Sequence, residues 1–134
     1  MERNGESRIT IQSRVQRREL KPTIAGDPNG APPHTLWLTI TEHKEFAPHY
    51  RRAWATARVS TREGGRGRKV RQLRLRIDMP IPGSATVDDQ VRSDAGECAA
   101  ACIFVGSVAG DFTSRWEAWV TEPGYGTWTT GDTW

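Results

Sequence analysis

The apolar residues of this chain recur at every second position in several stretches, a pattern typical of β-strands that bury one face. The alternation is clearest between residues 53 and 80, where two apolar columns flank a glycine-rich segment. The columns are Ala53, Ala55, Ala57 and Val59, then Leu73, Leu75, Ile77 and Met79. We therefore predict a central antiparallel hairpin over residues 53–80, with its turn at the glycines of residues 63–68 and its end at Pro80, which lacks an N–H.

Weaker alternation predicts two strands before the hairpin, within residues 8–42. One side of the first strand, over residues 8–16, consists of Ile9, Ile11 and Val15. The second strand alternates around Leu38. Residues 26–33 are rich in glycine and proline and predict a turn, and residues 43–50, interrupted by a proline, predict a connector.

The pattern is less regular after the hairpin. Residues 81–96 are polar and predict a long loop, with a short helix over residues 86–91 as an option. Residues 97–108 favour a strand, because Gly96 interrupts any preceding helix and β-branched and aromatic side chains follow. The alternative is a helical face formed by Val87, Val91, Ala95, Cys98 and Cys102.

A C-terminal helix is predicted over residues 111–121. Asp111 is a favourable N-cap, and Pro123 and Gly124 would end the helix. Its apolar face would consist of Phe112, Trp116, Trp119 and Val120, which follow a helical period. Residues 122–134 form a tail rich in tryptophan, glycine and threonine.

These elements predict an α+β fold, with an antiparallel β-sheet of about five strands in a single domain over residues 1–134. Such a sheet has an apolar face on the order of 1,000 Å² to bury, and one short helix cannot cover it. We therefore expect an isologous homodimer in which the aromatic stripe of the helix lies in the interface.

Charge is separated along the chain. Residues 1–76 hold 17 Lys and Arg against 7 Asp and Glu, whereas residues 77–134 hold 2 against 9. Such a block of one sign is either a solvated face or a surface for a polyanion. The longest apolar run is too short to span a bilayer and the N-terminus lacks the apolar segment of a secretory signal, so we expect a protein of the reducing cytosol with no membrane partner.

The candidate catalytic and metal-ligating residues do not form a recognisable site. The histidines His34, His43 and His49 lack the spacing of a zinc site, and Cys98 and Cys102 are expected to be small apolar core residues. Residues 64–67 lack the lysine and hydroxyl that end a phosphate-binding loop, and no nucleophile elbow occurs. We predict that the protein is not an enzyme and has no cofactor.

The polar face of the predicted hairpin is the candidate binding surface. It would present Trp54, Thr56, Arg58, Ser60, Gln72, Arg74 and Arg76. On paired strands about 5 Å apart, these donors would lie at roughly nucleotide spacing. Arginine fits phosphate bidentately, and Thr, Ser and Gln bind base edges. The face is therefore either an RNA platform or an ordinary solvated surface, and Trp54 either stacks on a base or caps the sheet edge.

The runs Ala53-Trp-Ala-Thr-Ala-Arg-Val-Ser60, Arg68-Lys69 and Leu73-Arg-Leu-Arg-Ile-Asp-Met-Pro80 resemble the central hairpin of single-stranded RNA bacteriophage (levivirus-like) coat proteins. The resemblance implies interlocked dimers, in which the C-terminal helix packs on the partner's sheet, and an icosahedral shell around genomic RNA. It also implies that the open basic sheet face binds RNA, in well-known members a hairpin whose binding represses translation.

The leading hypothesis is therefore a capsid protein of an RNA bacteriophage, assembled in the bacterial cytoplasm and located in the virion, with RNA and further copies of itself as partners. The first alternative is a small nucleic-acid-binding or regulatory protein of a mobile element or a bacterium. The second is a protein-interaction factor such as an immunity protein.

Overall fold

A computed structural model describes residues 8–21, 35–81, 86–123 and 126–134 of the chain. The predicted turn over residues 26–33 lies outside these ranges. Within them the regular elements are eight strands, and no helix is present. The strands are β1 (Thr10–Leu20), β2 (Leu36–Ala47), β3 (Tyr50–Ser60), β4 (Val70–Met79), β5 (Thr86–Ala95), β6 (Glu97–Val105), β7 (Arg115–Glu122) and β8 (Gly126–Thr133).

The strands form two antiparallel sheets that share one core. Sheet A has the strand order β1-β2-β3-β6, and sheet B has the order β5-β4-β7-β8. The core contains one face of β2, β3 and β6 from sheet A and one face of β4 and β7 from sheet B. Each of these strands thus buries every second side chain, as packed antiparallel sheets require. The prediction of antiparallel sheet structure is confirmed.

The prediction of an α+β fold with a five-stranded sheet and a C-terminal helix is wrong. Most of the predicted helix over residues 111–121 is β7, and its side chains Trp116, Ala118 and Val120 alternate into the core. The sequence fits both periods, because Trp116, Trp119 and Val120 also share a helical face. Hydrogen bonding to β4 and β8 on either side, together with the aromatic and β-branched content, favours the strand.

The predicted hairpin over residues 53–80 is also wrong, although both of its strands exist. β3 pairs with β2 and β6 in sheet A, whereas β4 pairs with β5 and β7 in sheet B. Their apolar columns face each other across the core instead of lying side by side. Residues 61–69, which we call the crossing segment, connect the two sheets. The segment bonds back to sheet A, where the Arg68 N–H donates to the Val59 carbonyl at 2.6 Å.

Residues 81–96 are not a long loop, and the optional helix over residues 86–91 is wrong, because this region contains β5. The chain bends at Gly96 from β5 of sheet B into β6 of sheet A. A Cβ on Gly96 would lie 3.0 Å from backbone atoms of Arg68, so glycine allows the crossing segment to pass close to the bend. The strand favoured for residues 97–108 is confirmed as β6, and the helical alternative is wrong.

Cys98 and Cys102 are both buried in the core, as expected of small apolar side chains. Residues four positions apart on a strand are separated by about 13 Å, so the two thiols cannot form a disulfide with each other. Burial raises the pKa of Cys98, and it raises the pKa of Cys102 to about 12. Both side chains are therefore protonated and unreactive near neutral pH.

The two predicted N-terminal strands are present, but their ends and faces differ from expectation. β2 continues to Ala47, so the predicted connector over residues 43–50 is reduced to a tight turn at Pro48 and His49. The apolar side of β1 faces solvent instead of the core. Its exposed residues are Ile9, Ile11 and Val15. The opposite side of β1 carries Arg14 and Arg18, which reach the edge of sheet B.

Lys44 connects the two sheets from within the protein. Its side chain is only 1% exposed, and its Nζ lies 3.0 Å from Oδ1 of Asp111, which was predicted as a helix N-cap. The ammonium also donates to the Trp134 carbonyl at 3.2 Å and lies 4.8 Å from the centre of the Phe112 ring. Ser114 and Trp134 exchange two backbone hydrogen bonds, of 2.9 and 2.7 Å. One buried cation thus joins β2 to the segments before β7 and after β8.

The opposite placement of two tryptophans on β7 is testable. Trp116 is buried in the core, whereas Trp119 is half-buried on the outer face of sheet B. We expect Trp116→Ala to lower the free energy of unfolding by about 3–5 kcal/mol, because it leaves a large cavity. Trp119→Ala should lower it by about 1 kcal/mol. Urea denaturation followed by far-UV circular dichroism measures both values, and equal losses would contradict the strand register.

Candidate nucleic-acid interface

The seven residues predicted to bind RNA lie on two opposite surfaces. The outer face of sheet A contains Trp54, Thr56, Arg58 and Ser60. The outer face of sheet B contains Gln72, Arg74 and Arg76. Packed sheets are about 10 Å apart, so the core separates the two groups. The predicted grid required β3 and β4 to be neighbours in one sheet, and it does not form.

On sheet B, Arg74 is already paired with a carboxylate. Its Nε donates to Asp89 Oδ1 at 2.9 Å, and its Nη2 donates to Oδ2 at 2.6 Å. The guanidinium also lies 4.1 Å from the centre of the Trp119 ring. The hydrogen bonding between the two side chains raises the pKa of Arg74 and lowers the pKa of Asp89. Binding a phosphate at Arg74 would require this pair to open.

Arg76 and Arg115 share Asp78. Arg76 Nη1 is 3.0 Å from Asp78 Oδ2 and 3.7 Å from Glu117 Oε1, and Arg115 donates to both Asp78 oxygens at 3.0 Å. Burial raises the pKa of Asp78, but the hydrogen bonds from Arg115 and Arg76 outweigh burial, so the pKa lies below its usual value. With Arg74, three arginines on this face meet three carboxylates, which leaves little net positive charge for a polyanion.

On sheet A, Trp54 is enclosed by its neighbours. Its ring stacks on His43 with 4.8 Å between the ring centres, and the Arg52 guanidinium lies 4.3 Å from the ring centre. Arg52 in turn is 3.5 Å from Glu45. Because β3 is an interior strand, Trp54 does not cap a sheet edge.

Cationic side chains without ion-pair partners gather at one end of sheet A. We call this group the loop cluster, and its members are Arg17, Arg58, Arg62, Arg66 and Lys69. The crossing segment folds back onto the end of the outer face. A Cβ on Gly64 would lie 3.0 Å from Arg17 Nη2, and a Cβ on Gly67 would lie 3.7 Å from Arg58 Cγ. Gly64 therefore lets the backbone approach Arg17 closely, whereas Gly67 lies at an ordinary contact distance from Arg58.

The charge of the loop cluster is not neutralised within the described part of the chain. None of the five side chains makes an ion pair there, whereas the adjacent Arg68 lies 2.8 Å from Glu122. The acidic side chains beside the cluster are Glu63 in the crossing segment, Glu97, which is opposite Arg58 in sheet A, and Glu19, which is opposite Trp37. Five cations thus meet three carboxylates. The three members of the cluster that lie in the crossing segment, Arg62, Arg66 and Lys69, are exposed to solvent.

Ser60 and Trp37 lie beneath the side chains of the loop cluster. Ser60, predicted as an RNA contact, is buried, and its Oγ donates to the Arg62 carbonyl at 2.6 Å. It therefore shapes the start of the crossing segment and cannot reach a ligand. Trp37 lies opposite Ser60 on β2 and is half-buried, which leaves part of its ring available beside the cationic side chains.

Most of the loop cluster was not predicted from the sequence, because the pattern of residues 63–68 indicated only a turn. A signal was present, because residues 62–69 combine three glycines with four basic residues. The contribution of Arg17 had no comparable signal, since it depends on the lateral order of β1, β2 and β3. Of the predicted RNA-binding residues, only Arg58 belongs to the loop cluster.

The residues predicted to form a dimer interface are used within the chain. Phe112, Trp116 and Val120 are buried in the core, and Trp119 packs against Arg74. The apolar faces that were expected to need a partner's helix are covered by the opposite sheet. An interlocked dimer built on a C-terminal helix is therefore excluded.

The described ranges contain neither a cluster of metal-ligating side chains nor a membrane-spanning helix. They contain no group of three or more His, Cys, Asp or Glu side chains placed to hold a metal ion, and His34 lies outside them. No helix in these ranges is long and apolar enough to cross a membrane. An open depression of about 470 Å³ beside Arg76, Arg115 and Asp132 is lined by side chains that already form ion pairs.

The ion pairs of Asp78 make stability depend on pH. A carboxyl with a lowered pKa in the folded chain contributes stability above its unfolded pKa of about 4 and loses that contribution as the pH falls through the folded pKa. We expect Asp78→Asn to lower the free energy of unfolding by about 1–3 kcal/mol at neutral pH and much less near pH 2. Urea titrations over this pH range measure the difference.

The matched control is Asp94→Asn, because Asp94 is exposed and makes no ion pair with any residue that the structure describes. This substitution should change stability by less than about 0.5 kcal/mol at any pH. An Asp78→Asn loss of the same size at both ends of the pH range would contradict the assigned role of the two arginines.

Comparisons with protein-family models, with curated proteins and with solved structures gave no match to this chain.

Proposed function

We propose that this protein binds RNA through the loop cluster. The observation that carries the proposal is the contrast between two groups of arginines in the same molecule. Arg74, Arg76 and Arg115 on the outer face of sheet B are held by carboxylates at 2.6–3.0 Å, whereas those of the loop cluster make no ion pair within the described ranges. Only the second group offers its donors to a ligand without first losing a partner.

The composition of the loop cluster favours a phosphate backbone with unpaired bases. Four of its five cations are arginines, which bind phosphate bidentately and stack on bases. Arg17 and Arg58 lie on β1 and β3, which are separated by β2, so their backbones are about 10 Å apart. Arg62, Arg66 and Lys69 extend this surface along the crossing segment. The exposed part of Trp37 adds an aromatic surface for one base.

This proposal corresponds to the alternative hypothesis of a small nucleic-acid-binding or regulatory protein. The coat-protein hypothesis required a dimer built by a C-terminal helix, and the chain has β7 in that place. Its capsid, shell and virion components are therefore not included in the proposal. RNA binding is the part of that hypothesis that the loop cluster supports.

Two matched double variants test the proposal. Arg62→Gln with Arg66→Gln removes two unpaired cations, whereas Arg74→Gln with Arg76→Gln removes two paired ones. Fluorescence anisotropy with a labelled single-stranded RNA of roughly 20 nucleotides, at several salt concentrations, measures the affinity of each protein. We expect the first variant to bind about 10-fold more weakly and to reduce the slope of log K against log salt by about 1.4, or 0.7 for each lost phosphate contact.

The second variant should change RNA affinity by less than about 2-fold, because its arginines are engaged with carboxylates. Urea denaturation of both variants establishes that they remain folded. Equal weakening by the two variants would overturn the assignment to the loop cluster. Absence of binding by the unaltered protein at about 50 mM salt would overturn RNA binding itself.

A further inference from the structure

The middle of the outer face of sheet A is a surface of low charge, with apolar side chains along β1 and β6, that no described part of the chain covers. We call it the platform, and it consists of three rows that run across the four strands. The rows begin at Ile11, Ser13 and Val15 on β1 and end at Ile103, Ala101 and Ala99 on β6. Five of the seven exposed large apolar side chains of the described residues lie on this side of sheet A, in the platform or directly beside it.

The platform differs in charge from the corresponding face of sheet B. Its only charged residues are Glu45 and Arg52, which lie in one row and form an ion pair of 3.5 Å. The outer face of sheet B holds three arginines and three carboxylates in a comparable area. Sheet B thus has an ordinary solvated face, whereas the platform combines low charge with exposed isoleucine, valine and alanine side chains. Such a surface is typical of a protein interface.

We propose that the platform binds a second copy of this chain, face to face, in an isologous dimer. The two lateral halves of the platform are complementary in the row of Val15, where β1 carries the larger side chain and β6 carries Ala99. A two-fold axis parallel to the strands, between β2 and β3, places β1 of one copy over β6 of the other. Val15 then lies over the partner's Ala99, and Ser13 lies over the partner's Ala101.

The same two-fold axis also brings an apolar pair and an oppositely charged pair of platform side chains together across the interface. Ile11 lies over the partner's Ile103, and Glu45 lies over the partner's Arg52. The charges of each copy's ion pair thus meet opposite charges across the interface. Aligned sheet packing rotates the two sheets by about 30°, which preserves these neighbours near the axis.

The size of the platform suits a reversible dimer. Four strands about 4.8 Å apart and rows about 6.8 Å apart give a footprint of about 400 Å² on each copy. Ile9 and Val105 extend the apolar surface at one end. Two corrugated faces of this footprint bury on the order of 1,000 Å², which is the lower limit for a specific interface. The dimer is therefore expected to dissociate on dilution.

Association through a sheet edge is less suited to this chain. One of the two edges of sheet B is β5, which carries the carboxylates of Asp88, Asp89 and Asp94 along its length. Asp88 also accepts a hydrogen bond from the backbone N–H of Ala101 at 3.0 Å, so it occupies part of the edge of β6. Charged residues at strand edges oppose edge-to-edge pairing.

Sedimentation equilibrium of two matched variants tests the proposal. Ile103→Lys and Val91→Lys replace side chains that are 50% and 51% exposed on edge strands, the first in the platform and the second on the outer face of sheet B. We expect Ile103→Lys to raise the dimer dissociation constant by at least about 10-fold, whereas Val91→Lys should leave it within about 2-fold. A protein that is monomeric at millimolar concentration, or a larger effect of Val91→Lys, would overturn the proposal.

The orientation is tested with single-cysteine additions and a short bismaleimide crosslinker. The buried thiols Cys98 and Cys102 should not react. A mixture of Ile11→Cys and Ile103→Cys chains should give covalent dimers, whereas Ile11→Cys alone should not, because that residue faces the partner's Ile103. Crosslinking of Ile11→Cys with itself but not with Ile103→Cys would overturn the proposed axis.

Discussion

The structure depends on the mutual burial of two apolar strand faces. The face of β3 is built from small side chains, mostly alanine, and the face of β4 is built from large ones. Each covers the other, and the difference in size lets the two sheets approach and interdigitate. Because side chains alternate along a strand, this burial directs the polar sides of β3 and β4 to opposite surfaces of the molecule. The separation of the predicted RNA-binding residues follows directly.

The same arrangement explains the separation of charge along the sequence. Basic residues of the first half meet acidic residues of the second half in ion pairs that connect strands. Such pairs link Arg14 and Arg18 to Asp132, Lys44 to Asp111, Arg68 to Glu122, and Arg74 to Asp89. Much of the basic block therefore stabilises the fold, and it is not an open polyanion surface. Three of the five cations of the loop cluster lie on a connection between sheets, a kind of segment that often carries function.

The alternation of apolar and polar residues correctly predicted most of the strands. It could not show which strands pair with each other. A glycine-rich segment of nine residues can close a hairpin or cross between sheets, and the alternation of β3 and β4 is the same in both cases. β7 was predicted to be a helix because Trp116 and Val120 fit both the helical period and the two-residue period of a strand. Only the strand period places Ala118 on the same face, and alanine is neither strongly apolar nor polar. The even-numbered side of β2 continues through Glu42 and Lys44, whose burial was not predictable because their partners lie far away in sequence.

The position of Lys44 has a consequence for the order in which the protein folds. An ammonium group this enclosed is tolerated only when it is paired. Its two polar partners are 67 and 90 residues further along the chain. During synthesis, at about 5–20 residues per second, β1, β2 and β3 emerge several seconds before residues 111 and 134. The strands of sheet A that emerge first therefore remain incompletely packed during synthesis. The two sheets complete their packing only after β8 has been translated.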